Sequence, residues 1–355
     1  MAERRPVGFV RLGADAGSGA ADLPSGAVLL DDATMAALVP ERPKRGHKGT
    51  FGKVFVLAGS IDYAGAALLA CRAAGRAGAG LVTLAVPESL QPLFASKVVE
   101  ATTMALPEDD LEEVDPEPSL AMILDHEHDA LVIGPGLRPA LATADLVRLL
   151  LTVPEEPSPV PAVLDAEALR SLAAADGWWS GVTRPCVLTP HPGEFARLRA
   201  GAGRDPAADG DLVDDDAARV TAATSAAGEW GQVVVLKGAR TVIAHPDGTV
   251  AVAPFENPAM ASGGTGDVLA GTIGALLAQG LPPFDAARLG VYLHGLAGDT
   301  VRERLGDAGL LAGDLPDLLP IARKQLATIA ERARAGRRLG FGPRDGGPDA
   351  PDPAG

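Results

Sequence analysis

Short apolar runs alternate with segments of helical spacing along most of the chain. Six runs of three to six residues, each followed by a turn or a polar residue, are 54–58, 81–86, 130–133, 162–164, 186–188 and 233–236. Strands that are buried on both faces have this continuous apolar pattern, and their alternation with helices is typical of a parallel sheet. The pattern predicts an α/β fold with a central, mostly parallel sheet and helices on both faces.

Small and polar residues follow several of these predicted strands directly. Gly59-Ser60 follows the first run, Gly134-Pro135-Gly136 the third and Thr189-Pro190 the fifth. The carboxyl ends of parallel strands meet at one edge of a sheet, and ligands of open α/β folds bind beyond that edge. We therefore expect the functional site at this edge.

A chain of 355 residues is long enough for one large α/β domain or for two smaller ones. We expect a single domain over residues 28–333. Residues 1–27 are rich in Gly, Ala and Asp without sustained periodicity, which predicts a poorly ordered N-terminal extension. Residues 334–355 end in a Gly/Pro/Asp run, which predicts a disordered tail.

The charge of the chain limits its partners. The 31 Lys and Arg against 46 Asp and Glu give a net charge of −15, which argues against nucleic acid and against an anionic membrane surface but not against small anionic ligands. Acidic residues are concentrated in 108–117 and 205–216, to which we assign no function. Two cysteines are too few for a disulfide framework, and the sequence has no signal peptide or apolar span, so we expect a cytoplasmic protein.

The segment 257–267, with the sequence NPAMASGGTGD, carries the strongest chemical signal because an apolar helix follows it at once. Its glycines let main-chain amides point at one place by the start of a helix, where the helix dipole also favours negative charge. This pattern predicts an anion hole formed by Gly263, Gly264, Thr265 and Gly266. Asp267 would lie in the first helical turn, placed to accept a proton from a hydroxyl while the amides hold a phosphoryl group.

The residues of this segment also allow other interpretations. Asp267 could be only a helix-capping acid, although three glycines and Thr265 around it favour the catalytic role. The chain contains no Gly-x-x-x-x-Gly-Lys-Ser/Thr string and no Gly-x-Gly-x-x-Gly after the first strand. The sequence therefore argues against P-loop chemistry and lacks the usual dinucleotide-binding fingerprint.

Seven motifs in sequence order resemble those of bacterial ADP-dependent NAD(P)H-hydrate dehydratases, a branch of the ribokinase-like superfamily. They are 48–53 (KGTFGK), 59–70, 76–81 (RAGAGL), 134–136 (GPG), 189–194 (TPHPGE), 237–238 (KG) and 257–267. Singly the Gly-rich pieces are weak signals, but seven in order are specific. The resemblance covers residues 28–319 and implies a ribokinase-like fold.

The resemblance also implies a reaction. The substrate would be (6S)-NADHX or (6S)-NADPHX, a reduced nicotinamide cofactor damaged by addition of water at C6. The family phosphorylates the new hydroxyl with ADP as donor and Mg²⁺ as cofactor, then eliminates phosphate to restore NADH or NADPH, leaving AMP. Such an enzyme is a lyase that repairs a nucleotide cofactor.

Residue roles follow from the same resemblance. Asp267 would be the catalytic base and a substrate contact, while Glu194 either reaches magnesium through water or only starts a helix. The other aligned positions are Ala66, Gly136 and His191 for the hydrated cofactor, and Lys237, Gly238, Ala239, Arg240, Thr241 and Gly266 for the nucleotide. Without the resemblance, turn and packing roles would explain the small residues, and the Lys237 side chain could equally be a surface residue.

The resemblance further implies a homotetramer. Many relatives carry a fused epimerase domain, and residues 1–27 are too short for one, so we expect a separate epimerase to supply the S form. Two rival functions remain. A ribokinase-like kinase of a vitamin or sugar would stop at the phosphorylated product, and a non-catalytic adenine-nucleotide sensor would need the amides but not Asp267.

Overall fold

The structure is a computed structural model that describes residues 24, 26–110, 113–154 and 159–338. The predicted N-terminal extension lies outside these residues apart from 24, 26 and 27, and the tail beyond 338 lies outside them as well. The last helix runs through the predicted tail boundary to Arg338. No helix in the described ranges combines the length and the apolar character that a membrane span requires.

Ten strands form one sheet in the order β1-β10-β9-β8-β7-β6-β5-β2-β3-β4. Their bounds are β1 Ala27–Leu29, β2 Lys53–Leu57, β3 Leu81–Pro87, β4 Thr102–Leu106, β5 Ala130–Ile133, β6 Ala162–Leu164, β7 Cys186–Leu188, β8 Val233–Leu236, β9 Val242–Ala244 and β10 Val250–Val252. Strand β9 is antiparallel to both β8 and β10, and every other neighbouring pair is parallel. The mostly parallel sheet is therefore confirmed.

Helices cover both faces of this sheet, as predicted. One core contains residues of α1 Asp32–Leu38, α2 Ala64–Ala77, α3 Gln91–Ala95, α9 Thr265–Ala278, α10 Pro283–Leu305 and α11 Leu319–Arg338. The other contains residues of α4 Pro116–Asp125, α5 Leu141–Thr152, α6 Glu167–Ala173, α7 Pro192–Gly201 and α8 Asp216–Trp230. Alternate residues of β2 enter the two cores, Val54 and Val56 the first and Phe55 and Leu57 the second, because side chains alternate across a strand.

All six apolar runs are strands, while four further strands had not been predicted. Three of them, β1, β9 and β10, are only three residues long and lie together at one end of the sheet. The fourth, β4, reads TTMAL and lies at the other end. A run of three apolar residues is a weak signal on its own, since AVL is the sequence both of β1 and of the predicted strand β6.

The carboxyl ends of five parallel strands lie side by side, in the order β8, β7, β6, β5 and β2. Backbone hydrogen bonds continue the pairing past the strand ends, from Lys237 N–H to Pro190, from Thr189 N–H to Leu164 and from Asp165 N–H to Ile133. Residues that follow these strands are consequently fixed relative to one another.

Candidate active site

The turn before α9 has the geometry of an anion-binding helix start. Gly264 caps the helix with φ of 92°, a left-handed conformation, and a Cβ there would lie 2.7 Å from the Leu69 side chain. Position 264 therefore requires glycine. Helix α9 begins at Thr265, so Gly266 and Asp267 lie in its first turn, where the helix N–H groups are unpaired within the helix.

Side chains hold this turn in place. The Thr265 hydroxyl lies 3.1 Å from the Met260 carbonyl and 3.0 Å from the Ser262 carbonyl, and it donates to them. A Cβ placed on Gly263 would meet no atom within 4 Å, so this residue faces open space. The four predicted anion-hole residues thus form one fixed turn that opens away from the core.

Asp165, at the carboxyl end of β6, is almost fully buried, with 2% exposure. Its Oδ1 accepts a hydrogen bond from Lys237 Nζ at 2.7 Å and another from the Thr189 hydroxyl at 2.8 Å. A Glu194 oxygen lies 3.6 Å from the same Nζ. A Cβ on Gly266 would lie 3.4 Å from Nζ and 3.8 Å from Asp165 Oδ2, so the ion pair lies against the first turn of α9.

The Lys237 side chain is 19% exposed and points inward, not outward as a surface lysine would. Burial alone would lower the pKa of Lys237, but the carboxylates of Asp165 and Glu194 outweigh it and raise the pKa above its ordinary value. The ammonium group is therefore firmly charged beside the predicted anion hole.

The environment of Asp267, unlike that of Lys237, disfavours the charged form of the side chain. Burial raises the pKa of its carboxyl to about 7, and the negative charges of Asp165 and Glu194 act in the same direction while Lys237 opposes them. A carboxylate whose pKa lies near neutral pH is a better proton acceptor than an ordinary aspartate and is still substantially ionised. The geometry and charge at Asp267 thus suit a general base.

A cavity of about 520 Å³ opens beside these groups. Four of the residues predicted to bind the nucleotide after β8 line it, together with Gly266 and apolar side chains. The lining residues include Lys237, Gly238, Ala239, Thr241, Phe255, Met260, Gly266, Leu269, Val291 and His294. Arg240 is not among them, and its Nη1 lies 2.8 Å from an Asp216 oxygen. The cavity joins an apolar slot to the charged end of α9.

The two small residues predicted to contact the hydrated cofactor lie next to each other. Gly136 has φ of 65°, and a Cβ there would lie 2.8 Å from the Ala66 Cβ and 2.6 Å from the Tyr63 carbonyl oxygen. The Gly59 N–H donates to the Pro135 carbonyl and ties the two segments together. The structure therefore brings Ala66 and Gly136 into one surface with bare backbone.

His191 and Glu194 form the start of α7. The His191 Nδ1 accepts from the Gly193 N–H at 3.1 Å, and Glu194 Oε2 accepts from the His191 N–H at 2.9 Å. The neutral imidazole that accepts at Nδ1 carries its proton on Nε2. That ring edge is partly exposed, since 52% of the side chain is accessible, and Nε2 lies 3.5 Å from a Glu194 oxygen, so Nε2 can donate either to Glu194 or to a ligand. Glu194 thus does help to start a helix, and its contact with magnesium stays a prediction.

The donor set tests whether a magnesium ion fits here. Asp165 and Glu194 both engage Lys237, and within the described ranges no group of three or more His, Cys, Asp or Glu could hold a metal ion. Magnesium usually binds through one or two carboxylates, several waters and substrate phosphates. These residues fit an ion that arrives with a nucleotide.

Sequence reasoning missed two residues of this site. Asp165 follows a predicted strand, and that position was a usable signal. His294 lies on α10, its Nε2 is 2.9 Å from the Thr265 carbonyl, and burial lowers its pKa to about 4. A neutral His294 therefore donates to that carbonyl and fixes the start of α9; the sequence around it gave no sign of this.

Comparison with known proteins identifies the family. The family model described as NAD(P)H-hydrate dehydratase matches residues 54–320. The ADP-dependent (S)-NAD(P)H-hydrate dehydratase of Neisseria meningitidis is 38% identical, with 77% of this chain and 86% of that protein covered. The chain spans about half the length, 55%, of curated relatives such as the bifunctional NAD(P)H-hydrate repair enzyme of Moorella thermoacetica.

Solved structures agree with this result. A crystal structure of ADP/ATP-dependent NAD(P)H-hydrate dehydratase from Bacillus subtilis, co-crystallised with ATP and Mg²⁺, is 33% identical with a TM-score of 0.70 and covers 85% of this chain and 100% of that one. A ribokinase-like superfamily protein from Enterococcus faecalis is 26% identical with the same TM-score, over 85% and 97% of the two chains. The expected ribokinase-like fold is confirmed, and the chain belongs to the NAD(P)H-hydrate dehydratase family.

Proposed function

We propose that this protein dehydrates (6S)-NADHX and (6S)-NADPHX to NADH and NADPH with ADP as the phosphoryl donor. The observation that carries the proposal is Asp267, a carboxyl with its pKa raised to about 7 at the start of α9 and beside a nucleotide-sized cavity. Membership of the family supports the substrate class. The names of the relatives support ADP as donor.

Asp267 would start the reaction by accepting the proton of the C6 hydroxyl of the substrate. The hydroxyl oxygen then bonds to the β-phosphorus of ADP, the bond from that phosphorus to the bridging oxygen breaks, and AMP leaves. Elimination follows because phosphate is a far better leaving group than hydroxide. The ring nitrogen lone pair expels phosphate from C6, and loss of a C5 proton restores the double bond.

The anion hole and Lys237 would stabilise the negative charge of the phosphoryl group during its transfer. Main-chain amides at the start of α9 are fixed before the ligand arrives, so they need no reorganisation during the reaction. Lys237 lies against Gly266, where its charge acts on the same group. Magnesium bound with the donor would add further charge neutralisation, and Glu194 would contact it through water.

Substrate contacts are assigned to the surface beside the base. Ala66 and Gly136 would let the nicotinamide and its ribose approach the backbone closely, since neither residue has a side chain beyond Cβ. His191 would donate from Nε2 to the substrate. We further propose, from the family resemblance, a homotetramer and a separate epimerase that supplies the S form.

The test is recovery of reduced-nicotinamide absorbance from purified (6S)-NADHX with Mg²⁺ and either ADP or ATP. Asp267→Asn should retain ADP binding yet lose turnover by about three orders of magnitude or more, because it removes the general base. Asp317→Asn is the matched control, an exposed carboxylate that pairs with Arg72 and Arg76 outside the site. Absence of recovery with both donors would overturn the proposal.

Product analysis separates the rival functions. A small-molecule kinase would consume the donor with a vitamin or sugar and accumulate a stable phosphate ester, whereas the dehydratase releases free phosphate. A nucleotide sensor would bind ADP without chemistry, so neither the wild type nor Asp267→Asn would consume the donor. An ionised carboxylate beside an anion hole weakens anion binding, so its presence favours catalysis over sensing.

A further inference from the structure

The loop after β8, residues 236–241, lies on a buried arginine that does not line the cavity. Arg219 of α8 is 1% exposed. Its Nη2 donates to the Leu236 carbonyl at 3.1 Å, and its Nη1 donates to the Ala239 carbonyl. The guanidinium thus bonds main-chain oxygens on both sides of Gly238. A buried arginine is costly unless its donors are satisfied, and here two of its nitrogens are satisfied by this loop.

The same two peptide groups are fixed at their other ends. The Lys237 N–H donates to the Pro190 carbonyl, and the Arg240 N–H donates to the Phe255 carbonyl, at 2.9 and 2.8 Å. In a trans peptide the C=O and the following N–H point in opposite directions. Each peptide is therefore clamped between Arg219 and a neighbouring segment. The peptides of Gly238 and Ala239, which line the cavity, lie between the two clamped ones.

Asp216, in the acidic segment to which the sequence gave no function, completes this arrangement. One of its oxygens lies 3.7 Å from Arg219 Nη1 and the other 2.8 Å from Arg240 Nη1. Arg240 has φ of 50°, a left-handed conformation that a non-glycine residue adopts only at a cost. The pairing with Asp216 draws the Arg240 side chain towards α8 and helps to hold that conformation.

Arg219 leaves no room for a side chain at position 238. A Cβ on this residue would lie 2.6 Å from Arg219 Nη2. The loop backbone therefore lies directly on the guanidinium, and the Thr241 hydroxyl, which donates to the Gly238 carbonyl at 2.9 Å, closes it from the other end.

We propose that Arg219, assisted by Asp216, is a positioning residue for the nucleotide: it presets the 236–241 loop so that the Gly238 and Ala239 backbone faces the cavity. The proposal rests on the proposed function in one respect, that the nucleotide occupies this cavity. It assigns no contact between Arg219 and any ligand. Nucleotide affinity should then depend on a side chain that the nucleotide never touches.

The primary experiment is Arg219→Lys in the full-length protein, with the Kd of ADP measured by calorimetry in the presence of Mg²⁺. A lysine keeps the charge but lacks the planar fork that bonds two carbonyls at once. We expect the Kd and the KM of ADP to rise about tenfold or more, which is the usual scale for loss of a charged hydrogen bond. The KM of (6S)-NADHX and the kcat at saturating ADP should stay within about twofold, because positioning of the donor is the only step affected.

Arg184→Lys is the matched control. Arg184 is also 1% exposed, and it donates to the Leu150 carbonyl at 2.6 Å and the Val160 carbonyl at 2.8 Å, away from the cavity. Equal losses of ADP affinity in both variants would show general destabilisation and overturn the proposal. Unchanged ADP affinity in folded Arg219→Lys protein would overturn it as well.

Hydrogen exchange of the unliganded protein makes the test independent of the proposed function. In Arg219→Lys, amides of residues 237–241 should exchange about tenfold faster or more than in the wild type, while those of β8 stay protected. If the wild type fails to bind ADP, the proposed donor is wrong, and this comparison still decides the positioning role. Unchanged exchange in the loop would refute that role.

Discussion

Replacement of Asp267 by Asn tests whether the fold holds its proposed base at a cost to its own stability. Burial and the neighbouring carboxylates raise the pKa of Asp267 from 3.8 to about 7 in the folded chain. A raised carboxyl pKa means that the folded state disfavours the charged form. Asparagine has nearly the same shape and no charge, so it removes this penalty. The variant should be inactive and more stable.

The size and pH dependence of the gain follow from linkage. A difference of about three pKa units, at 1.36 kcal/mol each, sets an upper bound of about 4 kcal/mol. Since Asp267 is partly exposed, solvent relieves part of the cost, and we expect a gain of about 2 kcal/mol. Between pH 3.8 and about 7 the folded state holds a proton that the unfolded state has lost. The penalty is therefore absent below about pH 4, grows through this window and is complete above about pH 7.

Urea unfolding of wild type and Asp267→Asn at pH 8 and pH 5 measures both the gain in stability and its pH dependence. The gain in free energy of unfolding should be greatest at pH 8 and clearly smaller at pH 5. The control Asp317→Asn replaces an exposed, ion-paired carboxylate and should lose at most about 1 kcal/mol. If Asp267→Asn is no more stable than wild type at pH 8, the carboxylate is not desolvated as described, and the argument for a raised pKa fails.

Three further outcomes are expected. The kcat/KM for the hydrated cofactor should fall below about pH 7 as Asp267 is protonated. Asp165→Asn removes a like charge and should move this acid limb of the pH profile to lower pH. An acid limb at an unchanged pH would contradict the electrostatic coupling between Asp165 and Asp267. Gly136→Ala should raise the KM of (6S)-NADHX about tenfold or more and leave ADP affinity within about twofold, since a Cβ would lie 2.6 Å from a carbonyl oxygen; an unchanged KM would remove Gly136 from the substrate site. Burial raises the pKa of both Cys71 and Cys186 to about 12. Neither thiol should therefore react with a thiol reagent at pH 8 before the protein unfolds, which mass spectrometry would show. Stoichiometric labelling of the native protein would contradict the burial of these thiols.

Much of the fold could be predicted because buried parallel strands leave local patterns. The apolar runs 130–133, 162–164, 186–188 and 233–236 have the predicted bounds. By contrast, β9 and β10 are held by their pairing with each other and with β8. Such pairing depends on tertiary contacts, which the local sequence does not specify.

The candidate site likewise has one part that the local sequence predicts and another part that depends on tertiary contacts. Gly264 and Asp267 belong to one local turn, so spacing alone placed them at the start of a helix. Asp165 and Lys237 are 72 residues apart, and their strands β6 and β8 are separated by β7. The pair forms because a long lysine side chain reaches across the end of β7, where Thr189 donates to the same carboxylate oxygen. Strand order and side-chain reach decide this contact, and neither is a local property.

The acidic residues at this edge of the sheet affect both the proposed base and the binding of an anionic donor. Burial raises the pKa of Asp267, and the carboxylates of Asp165 and Glu194 act in the same direction and so make it a stronger base, but negative charge also repels an anionic donor. Lys237 neutralises much of this charge by pairing with both carboxylates, and the amides of α9 supply a local positive field without any side chain. A site built only from lysines and arginines would attract phosphate but would lower the pKa of its base. The mixture of buried carboxylates, one lysine and a helix start satisfies both requirements.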